Sequence, residues 1–111
     1  MSKSKFLGEF EIVVLAALTH LGDDAYGIAI LKHIEERTDR VVTVGALYAT
    51  LARLEKKNYV SSMVGEATPQ RGGRAKRYYH LTTTGQTQLE RSASMLSTML
   101  CDVDGWATGI N

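Results

Sequence analysis

The stretch VGALYATLARLEKK, residues 44–57, decides how the rest of the chain is read. Leu47, Leu51 and Leu54 recur at steps of four and three, so a helix here carries one apolar stripe for burial. Its other side is small at first, with Gly45, Ala46 and Ala49 and with Thr50 at the border, and then basic, with Arg53, Lys56 and Lys57. Thr43 stands ahead of it as an N-cap, which leaves the next backbone N–H groups pointing outward, where they can take a phosphate. A helix with a slim, partly basic face fits a DNA major groove, which admits one helix between walls of phosphate. Taken alone, the stretch reads better as an ordinary amphipathic core helix with a solvated basic end. Its neighbours decide between the two.

Upstream, LGEFEIVVLAALTH at 7–20 places Glu9 and Glu11 at the positive end of a helix and follows them with a broad apolar band. His20 closes that helix as an exposed capping residue. Phe10 is expected at a subunit contact, because the band is wider than one chain needs. LGDDA at 21–25 is a turn signal, and YGIAILKHIEERT at 26–38 is a second helix with Ile28, Leu31 and Ile34 at helical spacing. Tyr26 and Gly27 are expected to pack against the first helix. TDRVVT at 38–43 holds two valines, enough for a short strand. Two helices, a brief linker and a third amphipathic helix make a helix-turn-helix.

Downstream, Asn58 stops the third helix, and YVSSMVGE at 59–66 with RYYHL at 77–81 are the arms of a hairpin. The loop between them, ATPQRGGRAK, carries Arg71, Gly72, Gly73, Arg74 and Lys76, with Arg77 at its base, and no acid occurs between Glu66 and Glu90. The glycines let the backbone approach a phosphate or enter a minor groove with arginine on either side. LTTTG at 81–85 offers hydroxyl caps to a last helix, along which Leu89, Ala93, Leu96, Leu100 and Val103 form a seam for dimerisation, the alternative being packing onto the first helix of the same chain. Met95 and Met99 widen the seam and, with Trp106, are the candidate lining of an apolar ligand site.

Composition agrees with one soluble, helix-rich domain. The 111 residues are 44% hydrophobic and 23% charged with a single proline, and the net charge of +1 means that any attraction to nucleic acid must come from clustered charge. Cys101 has no partner for an internal disulfide, and no signal peptide or membrane-spanning run is present, so a cytoplasmic location is expected. His20, His33 and His80 show no ligand spacing and Cys101 has no histidine near it in sequence, so no metal, cofactor or catalytic constellation is expected.

Four segments resemble the PadR family of winged-helix transcriptional regulators: LGEFEIVVLAAL at 7–18, DAYGIAI at 24–30, GALYATLARLEKKNYV at 45–60 and RGGRAKRYYHLTTTG at 71–85. The resemblance implies a mainly α fold with a small β hairpin, a winged helix-turn-helix over residues 1–81 and a C-terminal dimerisation helix with its tail over 82–111. It implies a homodimeric repressor on a near-palindromic double-stranded operator. Members commonly repress genes for detoxification, phenolic acid metabolism or drug efflux, and some release DNA on binding a small aromatic effector. Carried onto this chain, recognition falls on Thr43, Gly45, Ala46, Tyr48, Ala49 and Thr50, with Arg53 beside them, and the wing role on Arg71, Gly72, Gly73, Arg74 and Lys76. The glycine-interrupted tail is that of the small, one-helix subgroup. The competing reading is a winged-helix protein-interaction module that does not bind DNA.

Overall fold

The computed structural model describes residues 6–65 and 76–103. In chain order they form α1 (Glu9–Leu21), a short 3-10 turn (Gly22–Asp24), α2 (Gly27–Thr38), α3 (Val44–Lys56), strands β1 (Val60–Val64) and β2 (Arg77–Leu81), and α4 (Thr83–Leu100). The helix boundaries follow from local chemistry. The Gly8 N–H is held by the Glu11 carboxylate at 2.8 Å, which starts α1. Thr43 Oγ1 accepts from Ala46 N–H at 3.1 Å and Thr82 Oγ1 from Gly85 N–H at 2.9 Å, so α3 and α4 begin on hydroxyl caps. At the other ends, Asp39 closes α2 with a φ of 56°, and Asn58 turns the chain after α3 with a φ of 68°.

Val14, Leu15 and Leu18 of α1, Ile30 and Ile34 of α2, and Leu47, Leu51 and Leu54 of α3 meet in one core, closed by Val60 and Tyr79 of the hairpin. The buried stripe of α2 runs through Gly27, Ile30 and Ile34. Ile28, read from the sequence as part of that stripe, is exposed, since it lies off the Gly27–Ile30–Ile34 side of the helix.

The hairpin is antiparallel, with Val60 opposite Leu81, Ser62 opposite Tyr79 and Val64 opposite Arg77. Pairs directly opposite share a face, so Val60, Ser62, Val64, Arg77, Tyr79 and Leu81 lie on one side and Ser61, Met63, Tyr78 and His80 on the other. The strand expected within 38–43 does not form. Val41 is 91% exposed, and the Val42 N–H is taken by the Glu35 carboxylate at 3.1 Å rather than by a strand. The outer side of β2 is instead met by the chain before α2, where Tyr79 N–H donates to the Ala25 carbonyl at 2.8 Å and Tyr26 bridges Tyr78.

The first half of α4 is docked on its own chain. Gly85 lies directly on the Tyr59 carbonyl, Leu89 packs on the core, and the buried Ser92 hydroxyl accepts from Leu7 N–H at 2.8 Å. Beyond Ser92 the helix is less covered. Of the sequence-predicted seam, Leu96 and Leu100 are half-buried, while Ala93 and Val103 are exposed.

Candidate nucleic-acid interface

The outward side of α3 is built as its sequence implies. Leu47, Leu51 and Leu54 are turned into the core, which leaves Gly45, Ala46, Ala49, Ala52 and Arg53 exposed along the other side. A Cβ placed on Gly45 would meet nothing within 4 Å, so that face is open at its first turn. The Thr43 cap uses the Ala46 N–H, one of the donors free at the helix start.

Two residues of the sequence-predicted set depart from a simple outward orientation. Thr50 is 3% exposed, so its side chain belongs to the core. Its hydroxyl accepts from Arg53 Nη2 at 3.2 Å, and it thereby steadies Arg53 rather than offering itself to a groove. Tyr48 is 41% exposed, and its ring lies across Gly27 at the start of α2, where any side chain at position 27 would collide with the hydroxyl. The tight packing expected of Gly27 against α1 is therefore made against α3. Of the basic end, Lys56 is exposed, while Lys57 Nζ reaches back to Glu11 at 3.5 Å.

The hairpin stands beside α3 and is tied to it. Ser62 Oγ donates to Glu55 Oε2 at 2.7 Å and accepts from Arg77 Nη1 at 3.0 Å, which joins the end of α3 to both strands. On the opposite face, Lys76 Nζ sits 4.0 Å from the centre of the Tyr26 ring, and Tyr26 meets Tyr78 edge-on. The Lys76 carbonyl accepts from Gly65 N–H at 2.7 Å and so continues the ladder past the last strand pair. Arg71, Gly72, Gly73, Arg74 and Trp106 lie outside the described residues. Glu55 stands in the run at 45–60 and Ser62 in the first hairpin arm, but the sequence assigned neither a role; only their contact reveals one.

Phe10 is half-buried, with the Arg40 guanidinium 5.7 Å from its ring centre, and Arg40 is paired with Glu9 at 2.7 Å. These contacts pin the linker between α2 and α3 onto α1. Met95 is half-buried beside Leu7 and Tyr59, whereas Met99 is 72% exposed.

Two of the three histidines meet. His20 Nδ1 and His33 Nε2 are 2.9 Å apart across α1 and α2, beside an apolar cleft of about 130 Å³ that also touches Arg37. Partial burial, then Arg37 and His33, holds the His20 imidazolium below its usual range. Among the described residues no three His, Cys, Asp or Glu side chains gather as metal ligands. No described helix is long and apolar enough to cross a membrane.

Residues 14–91 match the profile described as "Transcriptional regulator PadR-like family". This chain belongs to the PadR-like family. The matched region runs from the middle of α1 through the hairpin and halfway along α4. An uncharacterized protein of Lysinibacillus sphaericus is 32% identical over 84 residues, which is 74% of this chain and 72% of that one. Among solved structures, a transcriptional regulator from Clostridium thermocellum is 31% identical with a TM-score of 0.68, over 80% of this chain and 81% of its own. A PadR family transcription regulator from Clostridium difficile R20291 is 28% identical with a TM-score of 0.68, over 84% and 95% of the two chains. The protein is thus a PadR-like transcriptional regulator with a winged helix-turn-helix, from a family of transcription factors rather than enzymes. In PadR terms, α3 is the last helix of the helix-turn-helix and the β1–β2 hairpin is the wing.

Proposed function

We propose that this protein is a homodimeric repressor that binds a near-palindromic DNA operator through α3 and the wing. The observation that carries this reading is the slim open face of α3, with Gly45, Ala46 and Ala49 exposed, set beside a hairpin that Glu55 and Ser62 fasten to the same helix. In this reading Thr43, Gly45, Ala46 and Ala49 approach base edges, while Tyr48, whose ring lies across Gly27, borders that face. Arg53, held by Thr50, and the wing residues Arg71, Gly72, Gly73, Arg74 and Lys76 take phosphates, which supply most of the affinity. Residues 1–81 are then the DNA-binding unit. Residues 82–111 are the dimerisation unit, in which Ala93, Leu96, Leu100 and Val103 face the partner, with Phe10 of α1 at the edge of the contact and Leu89 tying the helix to its own core.

Fluorescence anisotropy with duplex DNA at several salt concentrations tests it. Arg74→Ala is expected to weaken binding to every sequence and to lower the salt slope by about one phosphate. An unchanged affinity and slope sinks the wing assignment. A wild-type protein that ignores duplex DNA at low ionic strength supports the protein-interaction reading instead.

A small aromatic effector is part of the proposal through the family resemblance, with Met95, Met99 and Trp106 as its lining. Quenching of Trp106 fluorescence by aromatic compounds is the expected signature, and a screen of phenolic and cationic aromatics without quenching counts against it.

A further inference from the structure

Glu55 is an acid on the helix proposed to face a polyanion, where a carboxylate repels phosphate and weakens binding. Its contact explains why an acid can serve there. A hydroxyl has one hydrogen to donate and two lone pairs. Glu55 Oε2 takes the Ser62 Oγ–H at 2.7 Å, which turns the hydroxyl so that its lone pairs are open to Arg77 Nη1 at 3.0 Å. Arg77 is exposed, and that bond uses one of the five N–H donors of its guanidinium. Ser62 and Arg77 occupy the same face of the hairpin, the face that carries the core residue Tyr79, so Arg77 stands between the wing and the end of α3.

We propose that Arg77 is a further phosphate contact, and that Glu55 acts through Ser62 as the positioning residue that aims it and sets the wing angle against α3. This rests on the DNA-binding reading above. It adds two residues to the site that carry no positive charge, and it makes an acid on the recognition helix favourable to binding.

The test uses the full chain and a labelled duplex enriched by the wild-type protein from a random pool, titrated by anisotropy between about 50 and 200 mM salt. Each variant is first checked for an unchanged thermal midpoint. Arg77→Ala should weaken binding and lower the salt slope by about one phosphate. Ser62→Ala changes no charge yet should weaken binding about fivefold, the scale of one modest hydrogen bond. It should have no further effect in an Arg77→Ala background. Glu55→Ala and Glu55→Gln remove the same charge, but only the glutamine keeps an acceptor for Ser62, so the alanine variant should bind about fivefold more weakly than the glutamine variant. Equal tightening by both Glu55 variants with no effect of Ser62→Ala overturns the positioning role. An unchanged salt slope in Arg77→Ala overturns the contact. Failure of the wild-type protein to enrich any duplex overturns the DNA-binding reading, and this assignment falls with it.

Discussion

A methyl group added at Gly85 would meet the backbone carbonyl of Tyr59, whereas one added at Gly27 would meet the hydroxyl end of Tyr48. The first neighbour cannot step aside and the second can. Gly85→Ala is therefore expected to destabilise the protein by about 1–3 kcal/mol, the range for overpacking, even though alanine is the better helix former. Gly27→Ala should change stability by less than about 1 kcal/mol while displacing Tyr48 from α2, since a partly exposed ring can swing outward. Urea unfolding of the two variants checks this, and equal losses would show that the Tyr48 ring is as rigid as backbone. At His20 the sign of the pH dependence follows from the lowered pKa. The unfolded chain binds the proton more readily than the folded one, so His20 leaves stability whole above its ordinary value near 6.5. Stability then falls as the pH drops from there toward the folded pKa. The unfolding midpoint should be lower at about pH 5.5 than at 7.5, by a margin that shrinks in His20→Gln. An unchanged margin would place the acid sensitivity elsewhere.

The elements were the most legible part of the sequence. The steps of four and three through Leu47, Leu51 and Leu54 describe α3 as it stands, and Thr43 and Thr82 cap their helices as their positions imply. Losing the first cap should cost about 1 kcal/mol, so Thr43→Ala is expected to lower the urea midpoint without changing the steepness of unfolding. A midpoint that does not move would mean that water replaces the cap without loss. What the sequence concealed depends on contacts between elements. The valines at 41 and 42 have strand propensity, but the Glu35 carboxylate claims the Val42 N–H and Ala25 already occupies the flank of β2. Periodicity set Thr50 on the border of α3, and only the packed neighbours turn it inward. His20 and His33 lie thirteen positions apart on two helices, so no spacing rule could join them. For α4 the seam was visible as a pattern, but its first half is used within the chain through Leu89 and Ser92, and only the outer half is left less covered.

At the scale of the whole molecule, a net charge of +1 cannot draw DNA by itself, and the local arrangement has to do so. Arg53 lies on α3, held by Thr50, and Arg77 on a hairpin bonded to the same helix through Ser62, so two elements joined to each other each carry an exposed basic group. Two such surfaces related by a two-fold axis should engage half-sites about 34 Å apart. The C-terminal half of α4 leaves Met99 exposed and Leu96 and Leu100 only half covered, and Val103 just beyond it is exposed too, the apolar surface that such a pairing would use. Hydroxyl-radical footprinting of the purified protein on a duplex enriched from a random pool tests this directly. Two protected patches, symmetric about a centre and about one helical turn apart, are the expected result. A single unpaired patch, or no protection even at low ionic strength, would contradict it.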